Sequence, residues 1–219
     1  MAGPPPTYDI ERANMVDCQI RPNHVTDHRI IGAMRALPRE AFAPAGAFVY
    51  ADADIDLGGG RFLLSPMVTA RLAQLAMAGN PAHVLVVGAG SGYLAAVLSA
   101  CGACVVALEE DARLNTGVLA RYAPDVEAVQ DRLVGGWPAG GPYDVILIEG
   151  AVQEIPEIFT AQLASQGRVV AILADGAEAA GLGRAVIAET TGAGFATMKV
   201  FDCTAHILPS FRHAPVFSF

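Results

Sequence analysis

Charge is scarce in this chain. Only 16% of its 219 residues are Asp, Glu, Lys or Arg, while 53% are hydrophobic, and mean hydropathy is +0.41. Such a composition excludes intrinsic disorder and calls for a large buried core. Positive charge is scarcer still: 14 Lys and Arg against 22 Asp and Glu leave a net charge of −8, and the basic residues nowhere form a run. Phosphate backbones bind where cations displace counterions, so nucleic acid is not an expected partner. No apolar run reaches the roughly 20 residues needed to cross a bilayer, so no membrane partner is expected either. The first seven residues, Met-Ala-Gly-Pro-Pro-Pro-Thr, have no basic or apolar signal region and predict a short flexible tail. Cysteines occur only at 18, 101, 104 and 203, which suits a reducing cytoplasm where thiols stay free.

Catalytic signatures of the commoner hydrolases are absent too. There is no G-x-S-x-G elbow and no H-E-x-x-H helix. The histidines at 24, 28, 83, 206 and 213 have no metal spacing; His24 and His28 are four apart, but a helix start falls between them. Cys101-Gly-Ala-Cys104 lacks the helix N-terminus that activates a redox pair and has no second pair to complete four zinc ligands. Buried, unreactive thiols are the expectation.

The chain divides in pattern near residue 81. Before it, 9–20 has roughly helical apolar spacing, and Thr26 or Asp27 can cap a helix running to Leu37, where Pro38 stops it. A loop ending in Gly58-Gly-Gly60 follows, and Ser65-Pro66 reads as the N-cap and first residue of a helix to about Met77. After it, short apolar runs at 84–87, 104–108, 126–129, 145–148 and 169–173 alternate with helix-like stretches at 93–100, 112–122, 156–164 and 178–189. Apolar strands between amphipathic helices predict an α/β fold: an open, mostly parallel sheet with helices on both faces. Segments 196–201 and 215–219 have no helix between them and predict a closing antiparallel hairpin. Residues 1–80 are expected to form a helical segment packing over the site, and 81–219 the ligand-binding α/β domain. The spacing leaves the oligomeric state open.

The most informative stretch is Val84-Leu-Val-Val-Gly-Ala-Gly-Ser-Gly-Tyr-Leu94. A strand runs into glycines 88, 90 and 92 and then into a helix, so a ligand can lie against bare backbone at a helix N-terminus. The spacing is G-x-G-x-G, with Tyr93 where a dinucleotide fingerprint would carry its third glycine; it resembles the first motif of S-adenosylmethionine-dependent methyltransferases. Glu109 ends the second strand, 21 residues after Gly88, where an acid can accept hydrogen bonds from both hydroxyls of a ribose. Asp131, after the third strand, can take an adenine amino group or serve as a turn residue. Asp144 is as suited to a structural role as to a functional one. Glu149, at the carboxyl edge of the fourth strand, faces either the ligand or the turn that follows.

Taken in order, these segments resemble the protein-L-isoaspartate O-methyltransferase family over nearly the whole chain. Arg12-Ala-Asn-Met-Val-Asp-Cys-Gln-Ile20, Thr26-Asp-His-Arg-Ile-Ile-Gly-Ala-Met34, Pro38-Arg-Glu-Ala-Phe-Ala-Pro44 and Tyr50-Ala-Asp52 are similar to its N-terminal segments. Val87-Gly-Ala-Gly-Ser-Gly-Tyr-Leu94 matches its cofactor motif, and Tyr143-Asp-Val-Ile and Gln162-Leu-Ala-Ser-Gln-Gly-Arg-Val169 its later strands. The resemblance implies a class I methyltransferase fold with S-adenosylmethionine held by Gly88, Gly90, Gly92, Glu109, Asp131 and Glu149. It also implies that the acceptor is the free carboxylate of an L-isoaspartyl residue in a damaged protein or peptide. A carboxylate is ionised at neutral pH and needs no general base, which agrees with the missing triad. Two segments depart from the family. Around Asp131 this chain reads Gln130-Asp131-Arg132 in place of the family's Gly-Asp-Gly; the other departure bears on the acceptor. Against its Gln-Thr-Ile-Ser-x-Pro-His, this chain reads Arg61-Phe-Leu-Leu-Ser-Pro-Met67, with Leu64 at the serine position and Met67 at the histidine position. Ser65 and Arg61 are therefore the candidates for the acceptor side. The departure keeps two other functions in view: methylation of a different acceptor, such as a small molecule, and cofactor binding without catalysis.

Overall fold

The computed structural model describes residues 8–111, 117–176, 180–191 and 194–212. Among the described residues, five α-helices, α1 (Tyr8–Met15), α2 (His28–Ala36), α3 (Pro66–Met77), α4 (Tyr93–Ala100) and α5 (Gly117–Tyr122), accompany nine strands. Strands β1 (Ile55–Gly58) and β2 (Arg61–Leu63) pair with each other as a small antiparallel hairpin. The remaining strands are β3 (His83–Val87), β4 (Cys104–Glu109), β5 (Glu127–Gln130), β6 (Tyr143–Val152), β7 (Leu163–Ala174), β8 (Ala180–Thr190) and β9 (Phe195–His206). They make one sheet of order β5-β4-β3-β6-β7-β8-β9. The first five strands in that order are parallel, and β8 and β9 are antiparallel to their neighbours. Chain order reverses between β3 and β6, the place where open α/β sheets form a ligand crevice beyond their carboxyl ends.

Burial explains the parallel centre. Val84, Leu85, Val86 and Val87 of β3 are inaccessible to solvent, as are Val145, Ile146, Leu147 and Ile148 of β6; a strand covered on both faces has no polar side to present. One face packs against α2, α3 and α4 together with Met15, Val16 and Ile20, so the N-terminal residues share the core of the sheet. The other face is closed by Leu133, Phe159, Leu208 and Phe211.

The helix boundaries expected at the N-terminus hold, with one change. Asp27 caps α2 by accepting the Arg29 amide at 2.9 Å, and Ser65 caps α3 with Pro66 as its first residue. The helix expected over 9–20 is α-helical only to Met15 and continues as a π-helical turn, Val16–Ile20.

Two expectations fail at the C-terminal half. Residues 156–164 are not a helix: a 3-10 turn, Glu157–Gln162, leads straight into β7, which starts six residues before the strand expected at 169. The helix expected over 178–189 is strand β8 wherever described. Its alanines and charges favour a helix by propensity, but pairing on both sides, with β7 and β9, overrides that preference. Strands β8 and β9 pair as an antiparallel hairpin; segment 215–219 lies outside the described residues, as do 112–116 of the helix expected over 112–122.

Candidate active site

The turn after β3 is stitched to the neighbouring strand. The Gly88 and Ala89 amides both donate to the Leu108 carbonyl, at 2.9 and 3.1 Å. Gly88, Gly90 and Gly92 all have positive φ, at 75°, 55° and 87°. At Gly92 the requirement is double, since a Cβ would stand 2.7 Å from the Leu119 side chain. Gly92 is the N-cap of α4, so the turn feeds directly into a helix start whose first amides have no partner within the helix.

Glu109 ends β4 beside this turn and is buried, 3% exposed. Its Oε2 accepts the Gly90 amide at 2.9 Å. Its Oε1 accepts the Glu110 and Asp111 amides, at 2.8 and 3.1 Å, and Arg61 Nε at 3.0 Å. Arg61, also 3% exposed, reaches Glu110 Oε1 with Nη2 at 2.8 Å. Ser210 donates its hydroxyl to that same Glu110 oxygen. Burial tends to raise the Glu110 carboxyl, but the bonds from Ser210 and Arg61 outweigh it and hold the group below its ordinary range.

The segment joining β2 to α3 is fixed from below. Ser65 Oγ accepts the Val68 amide at 3.5 Å, and the Ser65 amide donates to Asp54 Oδ1 at 2.7 Å. Arg39, wholly buried, donates from Nε to the Val49 carbonyl at 2.7 Å and from Nη2 to the Leu64 carbonyl at 2.6 Å. Its guanidinium carbon lies 5.1 Å from the Tyr93 ring centre, which ties the segment to the first residue of α4. Burial raises the Asp54 carboxyl despite the Ser65 bond, and His206 Nε2 stands 3.8 Å from Asp54 Oδ2.

Of the residues singled out in the sequence, Gly88, Gly90, Gly92, Glu109 and Arg61 come together, and Ser65 lies on the same short segment as Arg61. Glu149 is 4% exposed, and its Oε2 has no hydrogen-bond partner. Burial, and then the Glu109 charge, push its carboxyl well above the ordinary range against the pull of Arg39. Asp131 is exposed; its amide donates to the Glu109 carbonyl at 3.2 Å, while its Oδ1 accepts the Arg132 amide at 2.7 Å. Asp144 is structural in its contacts, accepting the Ala82 and His83 amides at the start of β3. Cys101 is buried as expected, but Cys104 is exposed at the outer start of β4; both are free. Among the described residues no His, Cys, Asp and Glu cluster could hold a metal.

Sequence reasoning missed Arg39, Asp54, Glu110 and the segment around Leu208. Glu110 was visible only as a second acid beside Glu109. Leu208 enters from the end of β9: its amide donates to the Ala151 carbonyl at 3.0 Å. Its side chain lies 3.0 Å from where a Gly88 Cβ would be and 2.7 Å from that of Gly150. Nothing local in Ile-Leu-Pro-Ser announces that position. A cavity of about 500 Å³, lined by Gln153, Glu157 and Phe195 among others, draws on none of the site residues.

The arrangement offers bare backbone at a helix start, a buried carboxylate beside it, and a neutral-leaning acid across the switch point. It contains no nucleophile–base pair. Comparison with known proteins agrees with that chemistry. Residues 11–180 match the family described as protein-L-isoaspartate(D-aspartate) O-methyltransferase. The protein-L-isoaspartate O-methyltransferase of Methylorubrum populi is 39% identical over 168 residues, covering 74% of this chain and 79% of that protein. The one from Methanoregula boonei is 36% identical over 176 residues, covering 78% and 81%. Among solved structures, a protein-L-isoaspartate O-methyltransferase superposes with a TM-score of 0.78 at 22% identity, over 92% of this chain and 67% of that one. A candidate member from Plasmodium falciparum, solved in complex with S-adenosyl-L-homocysteine, gives 0.74 at 17% identity over 91% and 98%. At such identities the structures speak for the fold; the sequence matches carry the membership, and by them this chain belongs to the protein-L-isoaspartate O-methyltransferase family.

Proposed function

We propose that the chain methylates the free α-carboxylate of L-isoaspartyl residues in damaged proteins and peptides, with S-adenosylmethionine as methyl donor. The observation that carries this reading is the Gly90–Glu109 bond within a glycine turn at the switch point. It sets a buried carboxylate beside backbone that carries no Cβ at positions 88, 90 and 92, the pairing needed for a ribose and an amino-acid tail. When bound, S-adenosylmethionine supplies an electrophilic methyl group. Glu109 then accepts the ribose hydroxyls, the Gly88–Gly92 backbone lines the amino-acid portion, and Asp131 takes the adenine edge. Burial favours the protonated form of Glu149, and that form can donate a hydrogen bond where an ionised acid would repel an incoming carboxylate.

Ser65 and Arg61 bracket the acceptor side. The Ser65 hydroxyl accepts as an N-cap and keeps its proton free to donate, so it can orient a carboxylate without loosening α3. The incoming carboxylate is already a nucleophile, and the chain's task is to hold it in line with the methyl group. Residues 1–80 act as the cover and 81–219 as the cofactor-binding unit. Four free cysteines support a reducing compartment such as the cytoplasm, and no described helix is long and apolar enough to cross a membrane.

A second reading rests on Leu64. It is buried, and its carbonyl is taken by Arg39 and Thr69, so the family's serine position presents no hydroxyl. A smaller or less polar acceptor would suit that surface. The deciding experiment is transfer of radiolabelled methyl to an L-isoaspartyl peptide, with the L-aspartyl peptide as control and S-adenosylhomocysteine binding measured on the same preparation. Base-labile label on the isoaspartyl peptide alone supports repair chemistry. Binding without label sinks it in favour of another acceptor.

A further inference from the structure

We propose that Arg61 is a built-in competitor for the ribose site, and that cofactor binding transfers it from Glu109 to Glu110. The inference rests on the cofactor reading above. A carboxylate has about four acceptor positions, and Glu109 already takes four donors from the described chain: the amides of Gly90, Glu110 and Asp111, and Arg61 Nε. A ribose diol brings two more hydroxyl donors to the same group. The three amides are backbone donors, in the glycine turn and in the two residues after β4, so they withdraw only if the chain itself moves. Arg61 is the one donor on a side chain.

Arg61 also has somewhere to go. Its Nη2 is already on Glu110 at 2.8 Å, and that acid is tethered independently by the Ser210 hydroxyl and by the Leu133 amide at 3.4 Å. Letting go of Glu109 therefore leaves the guanidinium paired rather than stranded, which matters for a cation 3% exposed. The strand that carries it can follow. Gly58, Gly59 and Gly60 link β1 to β2, all with positive φ, and Leu57 of the same hairpin lies 3.4 Å from where a Gly90 Cβ would be. Ribose recognition, Arg61 and the hairpin over the glycine turn thus form one exchange: the ligand gains Glu109, and Arg61 falls back on Glu110.

Isothermal titration of the full chain with S-adenosylhomocysteine, and with its 2′,3′-dideoxy counterpart, tests this. Arg61→Gln removes the strong competitor and should bind S-adenosylhomocysteine about tenfold tighter, the worth of one charge-assisted hydrogen bond. The dideoxy ligand, which does not need Glu109, should bind wild type and variant alike. Unchanged or weaker binding of S-adenosylhomocysteine by Arg61→Gln, with wild-type binding intact, overturns the exchange and leaves the cofactor reading standing. No binding by either protein overturns both. Should Arg61→Gln fail to fold, the Arg Nε–H resonance of Arg61 in the wild type, assigned with Arg61→Lys, gives the answer. A marked shift and faster exchange on saturation with S-adenosylhomocysteine is expected, and an unmoved resonance defeats the proposal.

Discussion

Gly90 and Glu109 are joined by a 2.9 Å hydrogen bond from the loop amide to the strand-end carboxylate. The bond sets the spacing between the glycine turn and the acid that follows β4, so both partners of a ligand are presented at a fixed distance. Replacing Glu109 by Gln keeps the shape but puts an amide donor where acceptors are required. Binding of S-adenosylhomocysteine should weaken by about 10- to 100-fold, as expected for loss of hydrogen bonds to a charged group, measured by isothermal titration. Asp131→Asn should cost clearly less, because that exposed carboxylate already serves its own turn.

Two glycines make a matched pair for stability. Gly92 and Gly102 both have positive φ, 87° and 98°, but an added Cβ meets Leu119 at 2.7 Å at the first and nothing within 4 Å at the second. Gly102→Ala should cost about 1 kcal/mol from backbone strain alone. Gly92→Ala should cost about 3 kcal/mol or more, since overpacking adds to the strain. Urea denaturation of the two variants separates the effects.

Ser65 has a cap to maintain and a hydroxyl to offer. Ser65→Ala should lower stability by about 1 kcal/mol through loss of the N-cap and also lower methyl transfer. Ser65→Asp restores a cap acceptor while placing negative charge near the acceptor carboxylate. It should recover thermal stability without recovering activity, a split that a purely structural serine would not give.

Arg39 supports two carbonyls from inside the core. Arg39→Met keeps the volume and removes the donors to Val49 and Leu64. Leaving the Val49 carbonyl without its partner, and the Leu64 carbonyl with Thr69 Oγ1 alone, should cost about 1–3 kcal/mol. Because Leu64 adjoins Ser65, the KM for peptide should rise more than the Kd for S-adenosylhomocysteine; equal changes in both would mean a general loosening.

Two of the perturbed acids, Glu149 and Glu110, act at opposite ends of the pH range. Glu149 is raised in the folded chain, by burial and by Glu109, so its contribution is complete below the ordinary carboxyl range and is lost as pH rises through its elevated value. Glu149→Gln should therefore match wild type in acid and melt higher near neutrality. Glu110 is lowered, so what it contributes is present above the ordinary range and is lost as pH falls through its depressed value. Glu110→Gln should flatten the acid limb of a melting-temperature profile while leaving the neutral-to-alkaline limb parallel to wild type.

Much of the cofactor half was legible because its signals are local. The apolar run of β3, the three glycines and an acid 21 residues on lie within one β-turn-α-β unit, and each residue's place follows from its neighbours in sequence. The same holds for Asp27 and Ser65, whose capping depends on the next few amides. Strand β8 was not legible, since its alanines and charges favour a helix and only its two partners, β7 and β9, decide otherwise. Arg39, Asp54 and Leu208 were also hidden. Their bonds to Leu64, Ser65 and Ala151 span 25, 11 and 57 residues, and no local propensity at one end points to the other.

The placement of Leu208 bears on how the molecule is made. Its contacts with Gly88 and Gly150, and that of Ser210 with Glu110, unite the middle of the chain with residues synthesised long after it. Arg61 draws an early strand into the same place. Closing such distant segments is slow, because loop entropy is lost before any contact compensates for it. A chain still emerging from the ribosome would have its glycine turn and its acid in hand yet lack the leucine that seals β3 against β6. Ligand affinity should therefore appear late in synthesis and abruptly, with the arrival of β9 and the turn beyond it.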